Sequence, residues 1–87
     1  MMHYHLGKKF KRNFDKLPKP LKHQFIERRK LFESEAYHYL LHNHPLTGKY
    51  SDYRSFNVNG DVRVIFYYID DNTTHLIDIG THSQLYG

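Results

Sequence analysis

The chain contains no cysteine, and its 87 residues include only three prolines and five glycines. Without cysteine there is neither a disulfide framework nor a thiolate zinc site, a composition suited to a reducing compartment. No stretch approaches the roughly 18 apolar residues of a membrane span, and Met1 to Lys8 lacks the apolar run of a signal peptide. A cytoplasmic protein without membrane contact is expected. There is also no internal repeat, low-complexity tract or linker. A chain of this length closes only one hydrophobic core, so a single domain over residues 1–87 is expected.

Rings and basic side chains are plentiful. Eight Tyr and six Phe, with a quarter of the chain charged, favour a globular fold with a ring-rich core over disorder. The formal charge of +4 is unevenly spread. Residues 1–32 carry ten Lys or Arg against Asp15 and Glu27, and the remainder carries three against seven acids. That asymmetry fits an anionic partner at the N-terminal part, either RNA or an acidic protein, or else a solvated lysine-rich helix face.

His3 to Leu6 alternates as an edge strand does, with Tyr4 and Leu6 on one side and His3 and His5 on the other. Phe10, Phe14, Leu17 and Leu21 then recur at helical spacing, with Lys8, Lys9, Lys11, Arg12 and Lys16 around the other faces. Pro18 and Pro20 end that helix and start a second, because proline costs little in a first turn and much in a helix interior. The second helix is expected to point Leu21, Phe25, Ile26 and Phe32 inward. Glu33 to Tyr39 loses the period and reads as a connection, with one turn around Leu40-Leu41.

From Tyr50 the period is two. Tyr53 to Val58, Asp61 to Ile69 and Thr74 to Ile79 read as three strands, joined at Asn59-Gly60 and at Asp70 to Thr73. Asn-Gly predicts a tight hairpin with positive φ at both turn residues. On the middle strand Val62, Val64, Phe66 and Tyr68 should meet the helices, with Asp61, Arg63, Ile65 and Tyr67 facing the other way. The expected fold is α+β: an N-terminal strand, a two-helix hairpin, then an antiparallel three-stranded meander with helices on one face.

Several polar residues stand out against this frame. Asp61 and Arg63 share a strand face about 6.5 Å apart, as a structural ion pair or as parts of an anion-handling site. Arg54 alternates with core residues, so its head either snorkels around the edge or is re-aimed by a bulge. His3 and His5 share a face but lack the carboxylate companion expected of a metal site. His42-Asn43-His44 spells a metal-nuclease motif whose ββα setting is missing. His82 follows Gly80-Thr81 at a strand end, as a surface histidine or as part of a site.

Taken in order, His44-Pro45-Leu46-Thr47-Gly48, Tyr53-Arg54, Asn59-Gly60-Asp61, Arg63-Val64-Ile65-Phe66 and Asp78-Ile79-Gly80-Thr81-His82-Ser83-Gln84-Leu85-Tyr86-Gly87 resemble the RelE/ParE toxin superfamily. The likeness is to the YafQ-like branch of bacterial type II toxin-antitoxin systems. It implies a RelE-like fold and a ribosome-dependent endonuclease of messenger RNA, held silent by an acidic antitoxin in a toxin-antitoxin hetero-oligomer. His44, Asp61 and His82 match the family's catalytic histidines and aspartate. Tyr86 falls where the family keeps a functional aromatic, and Arg63 matches an arginine that contacts the scissile phosphate. Arg54 would join it if its face permits.

Two positions depart from the pattern. Asn57 replaces a histidine and cannot transfer a proton near neutral pH, and Val62 replaces a tryptophan. The implied chemistry needs neither metal nor cofactor, because histidine, with an unperturbed pKa of about 6.5, suits acid-base work near neutrality. The alternative is a protein of the same fold that binds without cutting, either inhibiting DNA gyrase or holding only antitoxin or RNA.

Overall fold

The computed structural model describes residues 2–87. The chain begins with strand β1 (His3–Leu6), followed by helices α1 (Lys8–Asp15) and α2 (Lys19–Ser34). A 3-10 turn over Tyr39–Leu41 leads to the two-residue strand β2 (His44–Pro45), and a second over Gly48–Tyr50 leads to β3 (Arg54–Asn57). Strands β4 (Val62–Asp70) and β5 (Thr73–Thr81) follow, and α3 (His82–Tyr86) comes last.

The strands form one five-stranded sheet in the order β1-β5-β4-β3-β2. The meander β3-β4-β5 is antiparallel as expected. The sheet is wider than the meander because β1 pairs parallel with β5 and β2 pairs antiparallel with β3. Two residues give too little periodicity to read as a strand, so β2 is invisible to pattern alone.

Pro18 is the N-cap of α2 and Pro20 lies in its first turn, where a missing N–H costs nothing. The two helices cover one sheet face. Phe10, Phe25 and Phe32 from the helices are buried with Phe56, Val62, Val64, Phe66 and Ile79 from the strands. Phe32 stacks 5.1 Å from Phe56 and meets Phe66 edge-on at 5.2 Å. Each such ring contributes about 1.5–3 kcal/mol by burial. Ile26, expected inward, is 37% exposed. At helical spacing it stands about 100° around the axis from Phe25, outside the apolar stripe.

The Asn59-Gly60 turn differs from expectation. Among the described residues positive φ occurs only at His42 and Gly48. The hairpin instead closes through Asn59, whose Oδ1 accepts from the backbone N–H of Asp61 at 2.8 Å and of Val62 at 2.7 Å. That side-chain turn moves the strand start to Val62 and leaves Asp61 exposed in the loop.

A bulge in β5 brings Asp78 and Ile79 to the helix side together. Ile65 pairs with Asp78 and Phe66 with Leu76, leaving Ile77 as the extra residue. Ile79 joins the core, and the Asp78 carboxylate accepts from Asn13 Nδ2 of α1 at 2.7 Å.

Candidate functional site

One end of the sheet holds a cavity of about 370 Å³ where β2, β4 and α3 converge. His44 and Arg63 line it from the strands, and His82 and Tyr86 from α3. Leu46, Thr47 and His42 complete the wall. Four of the residues singled out in the sequence therefore share one concave surface.

The geometry of α3 fixes two of them. Thr81 caps the helix in a reciprocal capping box with Gln84, with Thr81 Oγ1 accepting from the Gln84 N–H at 3.1 Å and Gln84 Oε1 accepting from the Thr81 N–H at 2.8 Å. Gly80 makes this possible, since a Cβ there would lie 2.9 Å from Gln84 Oε1. His82 and Tyr86, four residues apart, then fall on one helix face with ring centroids 4.9 Å apart. Tyr86 also meets Tyr50 edge-on at 5.8 Å, and its hydroxyl is buried with no hydrogen-bond partner among the described residues.

Arg63 is directed by a backbone group. Its Nη1 donates to the Asp61 carbonyl at 3.0 Å, and the same carbonyl accepts the His82 N–H at 3.2 Å. Asp61 thus ties the hairpin to the start of α3 through its main chain. Its carboxylate makes no ion pair or hydrogen bond among the described residues and does not line the cavity. The Asp61–Arg63 ion pair that the sequence allows is not formed.

Arg54 is elsewhere. It pairs across from Phe66 on the helix-facing side, donates Nε–H to Asn43 Oδ1 at 2.9 Å, and lies 5.6 Å from the Tyr37 ring centroid. No bulge in β3 re-aims it, so simple alternation keeps it away from Arg63. Asn57 is the cross-strand partner of Arg63 on the cavity's side of the sheet, and its Oδ1 is buried with no hydrogen-bond partner among the described residues. It stands beside Arg63, outside the cavity wall.

His42, which the sequence presents only as part of a coincidental motif, also reaches the cavity. It has φ 47° and ψ 48°, a left-handed conformation uncommon for a residue with a Cβ, and its ring centroid is 4.4 Å from that of His44. The His44 Nδ1 atom lies 2.6 Å from the His42 carbonyl oxygen. No periodicity marks such a residue. Its one sequence signal is its place two residues before His44.

Among the described residues no group of three or more His, Asp or Glu is arranged to hold a metal ion. Among the described residues no helix is long and apolar enough to cross a membrane.

The five-stranded sheet with its helices on one face is the RelE-like toxin fold. Escherichia coli YafQ shares it with a TM-score of 0.82 at 18% identity over 100% of both chains. A copper-bound mutant toxin from Helicobacter pylori is 24% identical with a TM-score of 0.73, covering 99% of this chain and 100% of that one. The toxin-antitoxin complex RelBE2 from Mycobacterium tuberculosis contains a chain of TM-score 0.73 at 17% identity, over 93% of this chain and 98% of that one. No curated protein sequence matches the chain. The model of the YafQ family, bacterial toxins of type II toxin-antitoxin systems, matches residues 2–87, and the chain belongs to that family.

Proposed function

We propose that this toxin is a ribosome-dependent endonuclease of messenger RNA. The observation that carries the reading is the convergence of two imidazoles from distant parts of the chain, His44 and His82, on one cavity with a guanidinium and a tyrosine. These are the residue types that RNA cleavage by general acid-base catalysis requires.

In the proposed reaction one histidine removes the 2′-hydroxyl proton as that oxygen attacks phosphorus. The bond from phosphorus to the 5′-oxygen breaks, and a second group protonates the departing oxygen. The products are a 2′,3′-cyclic phosphate and a 5′-hydroxyl. His82 is one of the two proton carriers. His44 takes the counterpart role in preference to Asp61, whose carboxylate does not line the cavity. Arg63 holds the phosphate as it gains charge, through charge-assisted hydrogen bonds. Tyr86 stacks on a base or orients the 2′-hydroxyl.

Escherichia coli DinJ-YafQ and Mycobacterium tuberculosis RelBE2 are toxin-antitoxin complexes, and by that likeness an antitoxin is the proposed protein partner. The rival reading is a toxin that binds RNA or gyrase without cutting. It gains from Asn57, which carries no proton near neutrality. Translation of a defined messenger by purified ribosomes separates the two. Cleavage by the wild type that disappears in His82→Ala, leaving 5′-hydroxyl ends, supports the nuclease. An inhibited but uncut messenger selects the binder, and 5′-phosphate ends refute the mechanism.

A further inference from the structure

The sheet face opposite α1 and α2 carries a row of rings. Tyr53, the residue before β3, lies 5.7 Å from Tyr67 on β4, Tyr67 lies 5.1 Å from His75 on β5, and His75 lies 4.5 Å from His5 on β1. The spacing follows from the fold, because adjacent strands are about 4.8 Å apart and Tyr67 with His75, and His75 with His5, are cross-strand partners. At its other end the row continues through Tyr50, 6.2 Å from Tyr53 and 5.8 Å from Tyr86. Tyr86 is a wall of the cavity, so an unbroken path of rings leads from the candidate site past the start of β3 and across β4 and β5 to β1 at the sheet's far edge.

These rings are not a second closed core. Tyr50, Tyr53, Tyr67 and His75 are half-buried and His5 is exposed. Cations flank the row where it meets the cavity. Lys49 Nζ stands 5.2 Å from the Tyr50 ring centroid and Arg63 lies on the same sheet face, and neither is in an ion pair among the described residues. Open rings in sequence with unpaired cations suit a strand whose backbone is anionic and whose every unit carries a flat base.

We propose that this row is a stacking track for single-stranded RNA, carrying the messenger on one side of the scissile bond. The inference rests on the nuclease reading for its substrate and extends it from the cut itself to the strand leading away. Base-to-ring stacking tolerates any sequence, since every base has a π face, so the track adds grip without dictating a codon.

The test uses a short 2′-O-methyl oligoribonucleotide, which cannot be cut by its own 2′-oxygen, and an abasic ribose-phosphate strand of equal length. The base-bearing strand is expected to bind at least about tenfold more tightly than the abasic one. The double variant Tyr53→Leu/Tyr67→Leu should abolish that difference, and Tyr53→Phe/Tyr67→Phe should keep it. The chain has eight tyrosines and no tryptophan, so tyrosine emission, read in a Tyr86→Phe variant to remove the cavity's own signal, reports stacking on the remaining rings. The base-bearing strand should quench it and the abasic strand should not, which keeps the proposal testable if the leucine variant folds poorly. Equal binding of the two strands overturns the proposal. So does a folded leucine variant with unchanged strand affinity, including one that weakens the antitoxin complex instead and so marks a protein-docking face. Because no strand is cut in this assay, its result is independent of the His82→Ala translation experiment.

Discussion

The Nδ1 atom of His44 lies 2.6 Å from the carbonyl oxygen of His42, and this contact sets the tautomer of His44. A carbonyl only accepts, so Nδ1 carries the hydrogen and Nε2 of the neutral ring keeps its lone pair. The nitrogen left free is the one that can take a proton. His42 reaches this position through its left-handed backbone. Such a conformation costs a residue with a Cβ about 1–3 kcal/mol and persists only where the surroundings enforce it.

His44→Ala should therefore lower ribosome-dependent messenger cleavage by about 10² to 10⁴-fold while leaving the far-ultraviolet circular dichroism unchanged. His42→Gly keeps the carbonyl and relaxes the backbone, so it should cleave nearly as well as wild type and unfold at no lower urea concentration. His42→Val should lose about 1–3 kcal/mol, because a branched side chain resists positive φ. A glycine variant as inactive as His44→Ala would mean that the His42 imidazole itself, and not its carbonyl, serves the reaction.

The Asp78 carboxylate, 4% exposed, joins β5 to α1. It accepts from Asn13 Nδ2 at 2.7 Å and from the Ile79 N–H at 2.8 Å, with Lys9 Nζ at 3.4 Å. Asp78→Ala strands two donors, one of them a buried backbone N–H, and should cost about 1–3 kcal/mol in urea unfolding. Lys9 is largely solvated, so Lys9→Gln should cost less than about 1 kcal/mol. Equal losses from the two would show that the ion pair, and not the hydrogen bonds, holds the helix.

These two sites mark the limits of what the sequence discloses. Helix and meander positions follow from period and proline placement, because a 3.6 or 2.0 repeat survives in the order of residues. His44, His82, Arg63 and Tyr86 are legible through their resemblance to a family. Asp61 and Arg54 stand out by the same route, yet a side-chain turn at Asn59 keeps the first in the loop, and unbroken alternation keeps the second on the helix side. His42 and Asp78 are hidden. One depends on a single left-handed residue and the other on a bulge, and neither leaves a periodic trace.

His75 should make stability depend on pH. Burial, and then the nearby His5, lower its proton affinity below the ordinary histidine value. The unfolded chain therefore binds more protons around and below pH about 6.5, so this contribution to stability is intact above that pH and is lost as pH falls through the depressed folded value. Urea midpoints should drop as the pH falls below about 6.5, and His75→Phe should reduce the drop. An identical pH dependence in the variant would place the effect on another group.

The basic face of the helices gives the last prediction. Lys8, Lys11 and Lys19 are exposed and form no ion pair among the described residues, so they carry no load in the fold. If they grip ribosomal RNA, each phosphate contact releases counterions and steepens the salt dependence of binding by about 0.7–0.9 in log K against log salt. Replacing all three by Gln should weaken ribosome binding most at low salt and flatten that slope by about 2 to 3, with the urea midpoint unchanged. A variant that binds ribosomes with the wild-type slope would show that the charge is merely solvated. Weaker antitoxin binding with an unchanged ribosome slope would assign the lysines to the acidic protein instead.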